Sequence, residues 1–215
     1  AEHVIHITAA ASLSGAYPNA AQASKSFDNV TVIDSAHISS GHGLMVLYAA
    51  TLAEEDKSVQ EICEALEEYR QRIFSNFLVP GTAVLYHNGK INGTIHRLCT
   101  SLNLHPILAM SKNKLKLWGI ESGNIHRVNR QYVKKLLKHS KQIDSRILFV
   151  TYAGCSVRQI DEILAEVEKY MTFERIILQK ASATVSCNCG AGTLGLMFIK
   201  KPGDKTTSDI NWDLA

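Results

Sequence analysis

VTVIDSAHISSGHGLMVLYAATLAEE, residues 30–55, is the stretch whose reading decides the fold class. It opens on a short β-branched run, Val30 to Ile33, passes through small and polar residues, and continues as a long segment apolar on most faces. A short β-branched run bounded by turn residues reads as a strand, and the longer segment after it reads as a helix. The same order stands upstream. HVIHITA (3–9) is strand-like, ASLSGAY (11–17) is rich in small residues, and a helical pattern follows through NAAQASKSF (19–27). Two successive strand–turn–helix units predict a parallel α/β sheet. Ser58 and Glu61 have capping-box spacing and open a helix with Val59, Ile62, Leu66, Tyr69 and Ile73 on one stripe.

Downstream of about residue 76 the rhythm changes. A turn is predicted at His87–Lys90 and a short helix in INGTIHRLCTSL (91–102). HPILAM (105–110) and KLKLWGIES (114–122) read as two strands joined by a turn at 111–113. NRQYVKKLLKHSKQ (129–142) is a basic amphipathic helix, and RILFVTYAG (146–154) a buried strand. SVRQIDEILAEVEKYM (156–171) is a second amphipathic helix, with Ile160, Ile163, Leu164, Val167 and Met171 facing inward. ERIILQKASATVS (174–186) and TLGLMFIKK (193–201) read as the closing strands. The expected architecture is α/β, with an N-terminal α/β domain over 1–75 and an α+β domain over 76–215.

With 215 residues, 46% of them apolar, the chain buries enough surface to need no staple. A net charge of +3 does not argue for nucleic acid, and no apolar run approaches a bilayer span of ~20 residues. No signal peptide is read, and the chain opens without Met on what reads as the inside of a strand. The five cysteines, at 63, 99, 155, 187 and 189, are odd in number and scattered, which fits a reduced, cytoplasmic setting rather than a disulfide framework.

The motifs that could carry chemistry each have a plain reading beside the sharp one. Cys187 and Cys189 would share a face of a strand. Their spacing is too short for a structural zinc pair and is not C-x-x-C, so no metal or redox role is assigned. GAGTLG (190–195) is formally G-x-G-x-x-G, but β-type residues flank it on both sides, whereas a nucleotide loop needs a helix after it. Ser12, Ser14 and Gly15 follow a strand and precede a helix. That arrangement suits an anion such as a carboxylate, or a simple N-cap. His37 and His42 flank a serine–glycine turn and read as exposed or capping. The basic residues Arg130, Lys134, Lys135, Lys138 and Lys141 carry no interleaved aromatics. They read as a solvated face, or more sharply as a docking surface for an acidic partner. No serine–histidine–acid spacing marks a hydrolase.

Taken in order, ASLSGAYPNAAQAS, the 30–55 stretch, NGKING (88–93), SLNLHPIL (101–108) and SATVSCNCGAGTLGLMFI (182–199) resemble the DegV family, over residues 4 to about 199. The resemblance implies the two-domain EDD-type fold, a bacterial and cytoplasmic protein, and binding of a long-chain fatty acid. Its carboxylate would lie near the domain junction and its tail in an apolar tunnel. It also implies that some members present the carboxylate to a fatty acid kinase, so the chain is a carrier, not an enzyme, with no metal or other cofactor. Relative to the family pattern the sequence lacks roughly the first quarter, with its further strands and a Thr/Ser-rich loop.

Several family positions read differently here. The loop Ser-Ser-x-x-Ser-Gly-Thr reads Ala10, Ala11, Ser14, Gly15 and Ala16. Gly-Arg-Ile-Ser reads Gly89, Lys90, Ile91 and Asn92. The Lys of Lys-Pro-Ile-Leu reads His105, and the His of His-x-Gly-Pro-Gly reads Asn188. The head-group residues implied are Ser12, Ser14, Gly15 and Asn188, with Lys90 and Arg127 as nearby cations. The rival expectation is a degenerate member that acts as a regulatory or interaction module and binds no fatty acid.

Overall fold

A computed structural model describes residues 2–202. The chain forms two compact units. One holds residues 1–75 with 110–115, the other 76–109 with the described part of 116–215.

In the first unit, β1 (Val4–Thr8) and β2 (Val30–Asp34) pair in parallel, from Val4 opposite Val30 to Thr8 opposite Asp34. A parallel pair requires a crossover, and α1 (Ala16–Ser24) supplies it. α2 (Ser39–Glu54) then packs against α3 (Val59–Arg72). The α2 helix begins inside ISSGHG, where the sequence suggests a turn. A Cβ at Gly41 would lie 1.9 Å from Ser75 Oγ, so only glycine lets this first turn approach so closely. The Ser58–Glu61 capping box opens α3 as expected, and Ile62, Leu66 and Tyr69 are buried along it. Ile73 is not part of that helix. It begins β3 (Ile73–Leu78), whose six residues are all buried, and its Ile73, Phe74 and Phe77 favour a strand.

The second unit is built on a six-stranded sheet of order β5-β4-β3-β8-β6-β7. Its elements are α4 (Ala83–His87), α5 (Gly93–Ser101), β4 (Leu104–Ser111), β5 (Lys114–Ser122), α6 (Ile125–Leu137), β6 (Ile143–Ala153), α7 (Val157–Glu168), β7 (Ile176–Lys180), α8 (Ala183–Cys189) and β8 (Thr193–Lys200). Residues 73–75 of β3 and the β4–β5 turn group with the first unit. β3 runs antiparallel to β4, and β6 runs antiparallel to β8 and parallel to β7. The sheet is therefore mixed. Lys112 and Asn113 both have positive φ, 48° and 58°, the backbone of a type I′ hairpin turn. The fully buried Tyr132 of α6 reaches into this sheet. Its hydroxyl donates to Asn76 Oδ1 and accepts from the Leu196 amide at 3.1 Å.

Three local readings are corrected. Residues 183–189 form helix α8, not strand, because the Ser182 hydroxyl accepts from the Val185 amide and starts a helix in spite of two β-branched residues. Cys187 and Cys189 therefore diverge instead of sharing a face. The basic helix starts earlier, at Ile125, where the Asn124 side chain accepts from the His126 amide, and ends at Leu137. His37 is buried and His42 is half-buried. His37 is 5% exposed, and His42 Nε2 donates to the Ile7 carbonyl at 3.0 Å.

Candidate functional site

The loop after β1 carries Ser12, Ser14 and Gly15, all exposed. Gly15 is the N-cap residue of α1 and offers no side chain to it, and the Ser14 hydroxyl accepts from the Ala16 amide at 3.1 Å. The loop hangs on Asp34, at the end of β2. One carboxylate oxygen accepts from the amides of Ala11 (3.1 Å) and Ala36 (2.9 Å), and the other from Asn113 Nδ2 (3.1 Å). Ser12 Oγ reaches Asn113 Oδ1 at 3.5 Å, so Ser12, Asn113 and Asp34 form one polar chain. Of the three bonds the Asp34 carboxylate accepts, the one from Ala11 ties the loop itself, and the Ser12 hydroxyl adds a long contact through Asn113.

A buried layer supports this loop. The Ala10 amide donates to the His37 carbonyl at 2.8 Å. The His37 ring sits between the Arg70 carbonyl, 2.8 Å from Nε2, and Ser75 Oγ, 2.9 Å from Nδ1. A carbonyl can only accept, so Nε2 carries the proton and the Ser75 hydroxyl donates to Nδ1. Burial holds the His37 pKa below the ordinary imidazole value, so the neutral ring is the native form. Asp34, Asn113 and Ser75 are residues that sequence reasoning missed, and His37 is buried where the sequence reads it as exposed or capping. Asn113 stands 101 residues from Ser12, and no local spacing signals the pairing.

In the second unit, Lys90 and Asn188 fall on adjacent segments. Short helix α4 packs against α8, Asn88 Nδ2 donates to the Cys187 carbonyl at 3.0 Å, and a Cβ at Gly190 would lie 3.0 Å from Val84 Cγ2. Lys90 follows two residues after Asn88 and is exposed. Asn188 is also exposed, and its amide donates to the Thr184 carbonyl of its own helix at 2.8 Å. Glycine geometry holds the loop after it. Gly190 and Gly192 have φ of 85° and 83°, and the Gly192 amide donates to the Ala153 carbonyl. Arg127 lies apart, exposed on α6, which packs along α7. Its neighbour His126 bonds Glu162 of α7 at 2.6 Å. His105, at the position of the family lysine, is buried, with Pro80 and Gly123 carbonyls 2.6 and 2.9 Å from its two ring nitrogens.

Among the described residues no group of three or more His, Cys, Asp or Glu side chains is placed to hold a metal ion. No helix among them is long and apolar enough to cross a membrane. The family profile described as the uncharacterised DegV family matches residues 1–201.

The chain belongs to the DegV family.

This DegV-family chain is 26% identical over 200 residues to a DegV domain-containing protein of Staphylococcus aureus strain COL, covering 92% of this chain and 71% of that one. Among solved structures it is similar to the DegV-family protein from Thermus thermophilus described for its fatty acid binding. The identity there is 27% and the TM-score 0.81, over 94% of this chain and 72% of that one. It also shares its fold with the fatty acid kinase B3 protein of Streptococcus pneumoniae, loaded with linoleic acid, at 20% identity and TM-score 0.79, over 94% of this chain and 73% of that one. The EDD-type architecture expected from the sequence is the one these structures share.

Proposed function

We propose that this chain binds a long-chain fatty acid. The observation that carries the reading is the likeness to the Thermus thermophilus protein, which extends over nearly the whole chain in both sequence and fold. Burial of a long acyl tail supplies affinity at ~0.8 kcal/mol per CH₂, so a few polar groups suffice to orient the head. In this reading the loop Ser12–Gly15 offers its exposed hydroxyls to the carboxylate. Lys90, Arg127 and Asn188 are further candidates, each to be tested by substitution. Presentation of the carboxylate to a partner kinase, which would make the acyl phosphate, is the finer part of the same proposal. The chain itself then acts as a carrier and not as the catalyst.

A second reading keeps one specific support. The Asn188 side chain already gives one of its two N–H groups to Thr184, and Ala10 and Ala11 stand where the family pattern has serines. A member with so few donors for a carboxylate would serve as an interaction module and bind no lipid.

Native mass spectrometry of the purified protein, followed by lipid extraction, separates the two. Near one fatty acid per chain, or uptake of added oleate to that level, is the expected result. An empty protein that also refuses oleate overturns the carrier reading.

A further inference from the structure

Two of the five cysteines, Cys155 and Cys189, lie on neighbouring segments of the second unit, and the sequence gives no hint of it because they stand 34 residues apart. β6 ends at Ala153, which pairs with Thr193 at the start of β8. The chain then turns at Gly154 (φ 68°) into Cys155, just before α7. On the facing side, α8 ends at Cys189 and turns through Gly190 and Gly192 into β8. Thr193 is the residue both segments meet. The Cys155 thiol lies 3.7 Å from its carbonyl oxygen, and its hydroxyl donates to the Cys189 carbonyl at 2.9 Å. A Cβ on Gly154 would stand 3.3 Å from the Ala191 side chain, so the two turns are in contact. Cys187 is exposed, and as a residue two before Cys189 on a helix it points elsewhere.

We propose that Cys155 and Cys189 are a reversible dithiol–disulfide pair that ties the end of β6 to the loop between α8 and β8. The oxidant is a low-molecular-weight disulfide. The Cys189 thiol gives up its proton to solvent, and its thiolate attacks one sulfur of the small disulfide. A mixed disulfide forms and one small thiol leaves. The Cys155 thiolate then attacks the Cys189 sulfur and expels the second small thiol. Two protein thiols are oxidised and one small disulfide is reduced to two thiols. Burial holds both thiols above the ordinary cysteine pKa, so the thiolates that must attack are scarce at neutral pH. The reaction is accordingly slow at pH 7 and faster in mild alkali. A transient bond of this kind is compatible with a reducing compartment. It goes beyond the fatty acid reading and does not require it.

The test uses the full chain with oxidised glutathione at about pH 8.5, blocking of free thiols with iodoacetamide, and tryptic mapping without reduction. The expected product joins peptide 147–158, which holds Cys155, to peptide 181–200, which holds Cys187 and Cys189. The link persists in Cys187→Ser, disappears in Cys189→Ser and in Cys155→Ser, and is reversed by dithiothreitol. Only glutathione adducts, or a link that survives Cys189→Ser by using Cys187, overturns the proposal. Because the readout is a covalent bond, it stands whether or not oleate binds.

Discussion

Two loops of this protein flank strand ends, and they are held in opposite ways. The loop of residues 10–15 after β1 is fixed by the Asp34 carboxylate, with one main-chain bond from Ala10 to His37, whose ring is in turn held by Ser75. The loop of residues 190–192 before β8 is fixed by its own backbone. Glycines at φ 85° and 83° and a main-chain bond to Ala153 set its path. Side-chain anchors couple a loop to ionisation and can be removed one at a time. Backbone anchors are insensitive to pH and fail through strain. The difference also bears on ligand chemistry. The first loop leaves the hydroxyls of Ser12 and Ser14 exposed, whereas just before the second the Asn188 amide gives one of its two N–H groups to its own helix.

The comparison yields tests, the severest first. Gly190→Ala forces a side chain into a backbone region open mainly to glycine and presses it against Val84 at 3.0 Å. The expected loss is about 3 kcal/mol, read as a lowered urea midpoint. An unchanged midpoint would show that this loop is not held by its backbone. Asp34→Ala removes three hydrogen bonds, two from main-chain amides, and is expected to cost about 2–3 kcal/mol. Hydrogen exchange of the Ala11 and Ala36 amides should accelerate in this variant while Gly192 stays protected, and parallel acceleration in both loops would erase the distinction.

A pH series sharpens the same contrast. The native His37 ring is neutral with a depressed pKa, while in the unfolded chain it titrates near about 6.5. Its contribution is complete above that value. Below it the unfolded state binds a proton that the native state refuses, so stability falls by up to about 1.4 kcal/mol per pH unit until the native pKa is reached. Urea midpoints between pH 7.5 and 5 should show this slope, and His37→Gln should flatten its His37-dependent part. The smallest effect is expected at Ser12→Ala. Its contact to Asn113 is long and exposed, so stability should change by less than about 0.5 kcal/mol. Oleate affinity, on the proposed reading, should drop about fivefold, corresponding to one hydrogen bond of about 1 kcal/mol. Equal affinities of the two proteins for oleate in a titration would take Ser12 out of the head-group site.

How far the sequence could be read differs from element to element. The β-branched runs at 4–8 and 30–34, the capping box at Ser58 and the Ile160, Ile163 and Val167 part of the stripe on α7 were all visible, because each depends on residues within one or two turns of each other, while Met171 falls beyond the end of that helix at Glu168. Helix α8 was misread because its β-branched Thr184 and Val185 outweigh, in a local window, the single cap at Ser182. Ile73 was assigned to the wrong element for a related reason. It continues the spacing of α3 but is claimed by the buried centre of β3.

Ser12, Ser14 and Gly15 were singled out correctly as a loop before a helix, a local property. That Asp34 and Asn113 hold this loop was not legible, since a hydrogen bond across 79 residues leaves no periodicity. What the sequence determined by itself is the alternation of strands and helices and the order of motifs that mark the family, because short-range propensity and spacing encode both. Only the tertiary structure decided that Asp34 carries the first loop, that His37 is neutral and buried, and that Cys155 meets the turn after Cys189. Each of these depends on which distant segments the sheet brings side by side, and on how much water their packing leaves.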